Sequence, residues 1–453
     1  MFTPELLSPA GTLKNMRYAF AYGADAVYAG QPRYSLRVRN NEFKLENLAE
    51  GIDIAHAQGK KFYVASNISP HNAKLKSYMA DMEPVVAMKP DALIMSDPGL
   101  IMMVRERWPE VPIHLSVQAN AMNWASVKFW HSVGVERVIL SRELSLDEVE
   151  EIRQRCPEME LEVFVHGALC MAYSGRCLLS GYINHRDPNQ GACTNACRWK
   201  YDVHEGKENE AGDIVPVQPF DPKADLAEPA DGEPQLGVGK PSDKIVLLQE
   251  ATRPGEYMPA FEDEHGTYIM NSKDLRAIQH VQRLTEMGVH SLKIEGRTKS
   301  HYYVARTAQT YRQAIDDAAA GKPFDRGLMD VLENLANRGY TEGFYRRHVH
   351  DEYQNYETGN SIGVHQQFVG EVMRRDGEML EIDVKNRFEL GDRVELMTPQ
   401  GNVRFNLDQL ENRKGEQIAA APGNGHIVRI PAPFNTDMDY ALLMRDLVNA
   451  PAR

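Results

Sequence analysis

From the N-terminus to about residue 320, short apolar runs alternate with longer amphipathic stretches. Short, continuously apolar runs are typical of strands buried on both faces. The eight runs predicted as strands are residues 6–8, 26–30, 62–66, 92–96, 113–117, 137–141, 160–165 and 291–294. The stretches predicted as helices are residues 12–22, 45–57, 74–88, 99–108, 124–132, 146–155, 275–287 and 302–320. Such alternation indicates an α/β fold with a parallel sheet, and eight units fit a TIM-like (β/α)8 barrel. A doubly wound open sheet is the alternative, because periodicity does not distinguish the two.

Two segments depart from this pattern. Residues 204–264 are rich in proline and hold fifteen acidic but only five basic residues, which predicts a loop-like acidic insertion with partial order. The predicted barrel therefore spans residues 1–340, with that insertion after the seventh strand, and residues 341–361 form a linker. Residues 362–453 show short alternating runs and a hairpin turn at Asp376-Gly377, which predicts a small C-terminal all-β barrel domain. Small β-barrels often bind RNA, so we assign that role to this domain as an expectation.

Composition favours a cytoplasmic enzyme. The chain has 453 residues, 42% of them hydrophobic, and no apolar run approaches the roughly 20 residues that span a bilayer. We therefore expect no membrane association. The net charge of −13 argues at first sight against nucleic-acid binding, but most of the excess of acidic residues lies in residues 204–264. Because binding depends on local potential, an RNA-binding face is compatible with the rest of the chain.

Four of the five cysteines fall within 28 residues, with the spacing Cys170-x6-Cys177-x15-Cys193-x3-Cys197. Cysteines grouped in this way in a reducing compartment indicate metal binding or catalysis rather than disulfides. Four thiolates suit either zinc or an iron–sulfur cluster. Only the last pair has the tight spacing usual for structural zinc, so both alternatives stay open at this point. The fifth cysteine, Cys156, precedes Pro157 at the end of a predicted helix, and we expect a structural role for it.

Several motifs carry a family resemblance. They are EVFVHGALC and SGRCLLS between residues 162 and 180, LKIEGR at 292–297, ELLSPAG at 5–11 and NSKDL at 271–275. Together they resemble the collagenase-like peptidases, the thirty-second family of the unknown-mechanism (U) class, over essentially the whole chain. The resemblance implies a barrel whose four cysteines bind a [4Fe–4S] cluster, with zinc as the second choice.

For one branch of that family, the resemblance also implies an activity. These members hydroxylate C5 of the wobble uridine in tRNA to 5-hydroxyuridine, in a prephenate-dependent reaction that begins the route to 5-oxyacetyluridine-type modifications. The expected partners are the tRNA anticodon loop and prephenate, with no DNA. A metal- or thiol-dependent peptidase and an iron–sulfur or zinc scaffold are the alternatives. The chain contains no HExxH motif, the usual sign of a zinc peptidase.

Candidate site residues follow the predicted strands, because the carboxyl ends of barrel strands form the active-site face. These polar residues are Asn67, Asp97, Gln118, Arg142, His166, Glu295 and Arg297. We predict catalytic roles for His166, Arg142, Glu295 and Arg297, with the two arginines binding carboxylates and His166 transferring protons near neutral pH. Substrate binding is predicted for Asn67, Gln118 and Lys293, and for Tyr34 and Arg37, which would stack on a base and hold a phosphate.

Overall fold

A computed structural model describes most of the barrel and of the C-terminal domain. The described residues are 2–36, 43–169, 173, 176, 273–337, 339–346, 366–433 and 438–447, together with the backbone of short strands between 201 and 267. In the part of the chain that it covers, no helix is both long and apolar enough to cross a membrane.

The first half of the chain alternates strands and helices. The strands are β1 (Glu5–Pro9), β2 (Ala26–Gly30), β3 (Lys61–Ser66), β4 (Ala92–Met95), β5 (Ile113–Leu115), β6 (Arg137–Ile139) and β7 (Glu160–Ala168). The helices are α1 (Leu13–Ala21), α2 (Leu45–Ala57), α3 (Asn72–Ala87), α4 (Pro98–Arg107), α5 (Trp124–Ser132) and α6 (Leu146–Arg155). Each strand pairs in parallel with the next. The strands are almost wholly buried, as their continuous apolar character predicted.

Local signals in the sequence fix where the helices begin. The Thr12 side chain accepts a hydrogen bond from the backbone N–H of Asn15 at 3.0 Å and caps α1. Ser145 and Glu148 form a reciprocal capping box at the start of α6. Because these caps satisfy N–H groups that the first turn leaves unpaired, the helices begin close to the predicted positions.

The acidic segment has more regular backbone than we expected. Its described strands are β8 (Tyr201–Glu208), β9 (Ile214–Pro216), β10 (Ile245–Glu250), β11 (Tyr257–Ala260), β12 (Glu262–Asp263) and β13 (Gly266–Thr267). Four of them form an antiparallel sheet in the order β11-β10-β8-β9, and β12 pairs with β13. The expectation of a loop-like insertion rested on its many prolines and charges, which do not prevent edge-to-edge pairing between distant short segments.

The barrel is completed after this segment. Strand β14 (Asp274–Arg276) pairs antiparallel with β7, and a 3-10 turn and helix α7 (Val281–Glu286) follow. The predicted helix at 275–287 was therefore wrong in its first half. Strand β15 (Ser291–Ile294) pairs in parallel with both β1 and β7. This closes an eight-stranded barrel, so the TIM-like prediction is confirmed and the open-sheet alternative is excluded.

Three further elements end this domain: α8 (His301–Ala319), α9 (Gly327–Glu333) and β16 (Tyr340–Thr341), which pairs with β14. Helix α8 is mostly buried because it packs on the barrel and also on the C-terminal domain. Arg306, on this helix, is 1% exposed and pairs with Glu395 of that domain at 2.7 Å. The C-terminal domain is thereby held against the flank of the barrel.

The C-terminal domain is all-β, as predicted. Its strands are β17 (Gln366–Asp376), β18 (Met379–Val384), β19 (Phe388–Glu389), β20 (Arg393–Thr398), β21 (Gly401–Asn406), β22 (Glu411–Asn412), β23 (Ala420–Ala421), β24 (Ile427–Pro431) and β25 (Leu442–Asp446). Seven form one antiparallel sheet in the order β21-β20-β25-β17-β18-β24-β22. The described residues show no pairing between the two edge strands, so the closure into a barrel is not seen. The predicted hairpin at Asp376 and Gly377 joins β17 to β18.

Candidate active site

A cavity lies at the carboxyl ends of the barrel strands and measures about 630 Å³ when the solvent-open space at its entrance is counted with it. Its lining residues are Tyr28, Leu36, Ala65, Asn67, Ile94, Ser116, Val117, Gln118, Ile139, Arg142, Phe164, Lys293, Glu295 and Arg297. The lining combines aromatic and aliphatic walls with a few converging polar groups, which is the usual composition of a small-molecule site.

Six of the predicted residues meet in this cavity: Asn67, Gln118, Arg142, Lys293, Glu295 and Arg297. They come from positions more than 200 residues apart in the chain. Barrel closure brings them together, because each lies on, or just after, the carboxyl end of a strand.

The two arginines are nearly buried and held in fixed orientations. Arg142 donates to the backbone oxygen of Ala168 at 2.9 Å, lies 3.5 Å from a Glu295 carboxylate oxygen, and stacks on Phe164 at 3.8 Å. Arg297 donates to the backbone oxygen of Leu36 at 2.8 Å. A guanidinium has five N–H donors, so the contacts described for Arg142 use only part of its hydrogen-bonding capacity. The arrangement suits recognition of carboxylates or phosphates.

Two glycines let the chain pass close to these groups. A Cβ on Gly30 would lie 2.7 Å from Nη1 of Arg297 and would collide with the side chain of Ser35. Gly167 has φ +104° in strand β7, and a Cβ there would collide with the backbone oxygen of Glu295. The close approach between β7 and the segment after β15 therefore depends on glycine at 167.

A line of amide and hydroxyl groups forms another wall. Asn67 accepts from the backbone N–H of Leu36 at 3.2 Å and donates to the Ser116 hydroxyl at 3.2 Å. That hydroxyl donates to Gln118 at 2.6 Å. The wall offers both hydrogen-bond donors and acceptors, which is what the polar edge of a nucleobase requires.

The floor of the cavity is a buried network of charges. Lys293 Nζ lies 2.7 Å from Glu162, whose other oxygen lies 3.3 Å from Arg137 Nη1. Arg137 also bonds Glu5 at 2.6 Å, and Tyr63 donates to Glu5 at 2.6 Å. Burial lowers the pKa of Lys293, and the Glu162 carboxylate opposes that shift. Glu162 and Lys293 thus form a fully buried ion pair.

His166 does not line this cavity. The register between β7 and β15 shifts so that Phe164 pairs with Lys293 but His166 pairs with Ile294. This bulge turns His166 outward to the rings of Tyr303, Tyr311 and Tyr340. Burial lowers its pKa to about 3, against the opposing charge of Asp274. The structure therefore does not support proton transfer by His166 near neutral pH.

Tyr34 is also placed differently from our expectation. It is fully buried, with its ring edge-on to Tyr78, and its hydroxyl contacts Ser77 at 2.8 Å and Asp81 at 2.6 Å. A ring enclosed in this way is not available for stacking on a base. The Arg-Tyr sequence pattern was misleading, because alternation of basic and aromatic residues does not reveal which side chains enter the core.

Asp97 and Cys156, two further residues singled out in the sequence, both have structural roles. Asp97 caps α4, accepting from the backbone N–H of Leu100 at 2.9 Å, which is a structural role. Cys156 is fully buried, as expected of a structural cysteine.

The remaining predicted site residues lie outside the described residues. They are Arg37 and the four cysteines Cys170, Cys177, Cys193 and Cys197. Leu169, the last residue described before this segment, follows Ala168, whose carbonyl oxygen holds Arg142. The chain leading to the first cysteine therefore starts at the wall of the cavity.

Sequence reasoning missed several residues of the site. Tyr28, Phe164 and Ser116 line the cavity, yet all three lie within or beside apolar runs that predicted only buried strand. The inward positions of each strand were a usable signal, because alternate residues of a barrel strand face its interior.

The family model for peptidase family U32 matches residues 11–355, and the model for its C-terminal domain matches residues 365–445. The chain belongs to peptidase family U32. This confirms the family predicted from the motifs.

Two relatives are similar to the chain over nearly their whole length. The chain is 69% identical to tRNA hydroxylation protein P of Escherichia coli, with 98% of this chain and 97% of the relative covered. It is 67% identical to the protein of the same name from Haemophilus influenzae, with 100% and 98% covered. A 23S rRNA 5-hydroxycytidine synthase of Escherichia coli is 27% identical, with 96% of this chain and 59% of that relative covered.

Proposed function

We propose that this chain is a tRNA-modifying hydroxylase. The observation that carries the proposal is its full-length similarity, at 69% identity, to tRNA hydroxylation protein P. The six predicted polar residues that converge in the barrel cavity support it, because they give the chain a site able to bind a small polar substrate. Such a reaction on tRNA takes place in the cytoplasm.

The proposed reaction places a hydroxyl on C5 of the wobble uridine, giving 5-hydroxyuridine. One relative is named as a 5-hydroxycytidine synthase, and 5-hydroxycytidine has a hydroxyl group at the same pyrimidine carbon, C5, which supports this position. A base in the single-stranded anticodon loop is unstacked at low cost, and the cavity is partly open to solvent, so a base could enter it from outside. Asn67 and Gln118 would bond its polar edge.

Prephenate is the proposed co-substrate. It carries two carboxylates and a 2-oxo group, and three cationic side chains line the cavity: Arg142, Lys293 and Arg297. Glu295 and Glu162 offset part of this charge, and the described residues therefore favour a small anion without creating a strongly positive site. Among the described residues, Glu295 is the carboxylate that lines the cavity, and we assign it the role of a general base.

The four thiols of Cys170, Cys177, Cys193 and Cys197 are proposed to hold a [4Fe–4S] cluster, with zinc as the alternative ligand. A set of four thiolates fits either. When bound, an iron–sulfur cluster supplies one-electron transfer. The described residues have three separate tasks: the arginines orient the anion, the amide wall orients the base, and the apolar lining excludes water.

The test is nucleoside mass spectrometry on unmodified tRNA incubated under anaerobic conditions with purified protein, with and without prephenate. We expect 5-hydroxyuridine only when the protein and prephenate are both present. We expect no product when Arg142 or Glu295 is replaced. A matched control is Arg283→Gln, because Arg283 forms an exposed ion pair with Asp147 outside the cavity. Iron, sulfide and zinc analysis of the same preparation separates cluster from zinc. Unmodified tRNA in the presence of iron-loaded protein and prephenate would contradict the proposal.

A further inference from the structure

Lys293 is placed unusually for a residue that only balances charge. It is 3% exposed, yet it lines the cavity from the floor, and its Nζ lies 4.2 Å from the ring centre of Tyr28 and 5.5 Å from that of Phe164. A lysine buried between aromatic rings has few water molecules to stabilise its ammonium form, and burial lowers its pKa accordingly. Desolvated lysines of this kind are nucleophiles toward carbonyl groups.

The neighbours of Lys293 suit that chemistry. Glu162, 2.7 Å from Nζ, can accept the proton that the ammonium must lose. Glu162 is itself 0% exposed and held by Arg137, so it stays oriented toward the lysine. Arg142 and Arg297 line the same cavity and can hold a carboxylate next to the amine. An acid with a carbonyl beside its carboxylate would therefore present its carbonyl carbon to Nζ.

We propose that Lys293 forms an imine with the 2-oxo group of a 2-oxo acid bound by Arg142 and Arg297. The ammonium passes a proton to Glu162, and the neutral amine attacks the carbonyl carbon, forming a C–N bond. Glu162 returns this proton to the hydroxyl of the resulting carbinolamine, and the C–O bond then breaks with release of water and no change in oxidation state. The protonated imine then lies beside the Glu162 carboxylate. This new ion pair replaces the pair between Lys293 and Glu162 in the free protein.

This inference deepens the proposed function and rests on it for the identity of the acid, since prephenate is a 2-oxo acid. The covalent link would hold the co-substrate at the floor of the cavity while the base enters the cavity from its solvent-open side. It assigns Lys293 a catalytic role instead of the weaker anion-binding role expected from sequence.

The experiment traps the imine on the intact, full-length protein. The protein is incubated with pyruvate and sodium cyanoborohydride, and in parallel with prephenate, and is then digested with trypsin. Trypsin cuts after Lys293 in the unmodified chain, so an adduct converts the peptide 284–293 into 284–297 with the added mass of the reduced acid. We expect this adduct at Lys293 in clear excess over Lys61, whose side chain is 55% exposed.

Two controls separate an imine from other binding. L-Lactate replaces the carbonyl by a hydroxyl and should give no adduct at any lysine. Lys293→Arg keeps a positive charge beside Glu162 but cannot form an imine, and it should lose the adduct. If that variant does not fold, the peptide map of the wild-type protein still decides the question. Equal labelling of Lys293 and Lys61, or no label at Lys293, overturns the proposal.

The outcome is distinguishable from failure of the proposed function. Prephenate-dependent hydroxylation of tRNA without an adduct at Lys293 would overturn the imine and leave the function standing. An adduct at Lys293 with tRNA unmodified would support the imine and overturn the function.

Discussion

Replacing Glu162 by glutamine tests the charged floor of the cavity. The substitution keeps the shape of the side chain but removes the carboxylate that lies 2.7 Å from Lys293. Arg137 is less affected, because it retains Glu5 at 2.6 Å and Glu160 at 2.7 Å. The cost therefore falls mainly on Lys293, which is left charged and buried without its anion.

The size of the effect follows from burial. Removing one partner of a buried ion pair destabilises proteins by about 3–5 kcal/mol, and we expect a loss of about 3 kcal/mol at pH 7 because Arg137 keeps two partners. Loss of Glu162 also lowers the pKa of Lys293 further in the folded state, since the carboxylate was raising it. The unfolded chain then binds more protons than the folded one, so the stability of the variant rises with pH. The difference in the free energy of unfolding between wild type and variant should therefore become smaller as the pH rises from 7 to 10.

The assay is guanidinium unfolding followed by tryptophan fluorescence, because Trp108, Trp124 and Trp130 all belong to the barrel domain. The matched control is Glu50→Gln, which removes a carboxylate from an exposed pair with Arg17 and should cost at most about 1 kcal/mol. The reasoning would be refuted if Glu162→Gln lowered the free energy of unfolding by no more than Glu50→Gln does. It would also be refuted if the difference in that free energy between Glu162→Gln and wild type did not change with pH.

Three further predictions concern other parts of the site. Gly167→Ala should lower stability by about 1–3 kcal/mol beyond Gly377→Ala in thermal unfolding, because both positions have positive φ but only the first meets the Glu295 backbone. The pKa of His166 is about 3 in the folded state, so stability should fall as the pH drops below about 6.5, by up to about 1.4 kcal/mol per unit. His166→Gln should flatten that slope in denaturant titrations at pH 4–7. Arg142→Lys keeps the charge but loses the planar fork, and should raise the KM for prephenate at least about tenfold, a loss of about 1.4 kcal/mol, with a smaller effect on kcat.

Each of these has a clear contrary result. Equal destabilisation by the two glycine substitutions would show that the approach to Glu295 is not tight. An unchanged pH slope in His166→Gln would mean that another group titrates. A KM for prephenate unaffected by Arg142→Lys, in protein with wild-type thermal stability, would remove Arg142 from anion binding.

The barrel was predictable because its evidence is local. Buried parallel strands need continuous apolar runs, amphipathic helices need a polar outer face, and capping residues such as Thr12 and Ser145 mark where helices begin. The rule that barrel chemistry lies at the carboxyl ends of strands then selected Asn67, Gln118 and Arg142 correctly as cavity residues.

The errors share a different cause. His166 was expected to transfer protons at the active site, but the one-residue shift at the β7–β15 pairing turns it away from the cavity. Tyr34 was expected to stack on a base, but its ring packs on Tyr78. The residue pattern predicts neither the bulge in the β7–β15 pairing nor the packing of Tyr34. Both depend on which segment, distant in the chain, lies next to these residues in the folded protein.

The sequence by itself determined the order and type of the barrel elements, the grouping of four thiols in one segment, and the family to which the chain belongs. Only the tertiary structure decided that β15 closes on β1 and β7, that six polar side chains share one cavity, and that Lys293 lies over Glu162 and Arg137. Local composition sets which segments can be strands or helices. The environment of a charged side chain depends instead on neighbours more than a hundred residues away, and these are fixed only when the barrel closes.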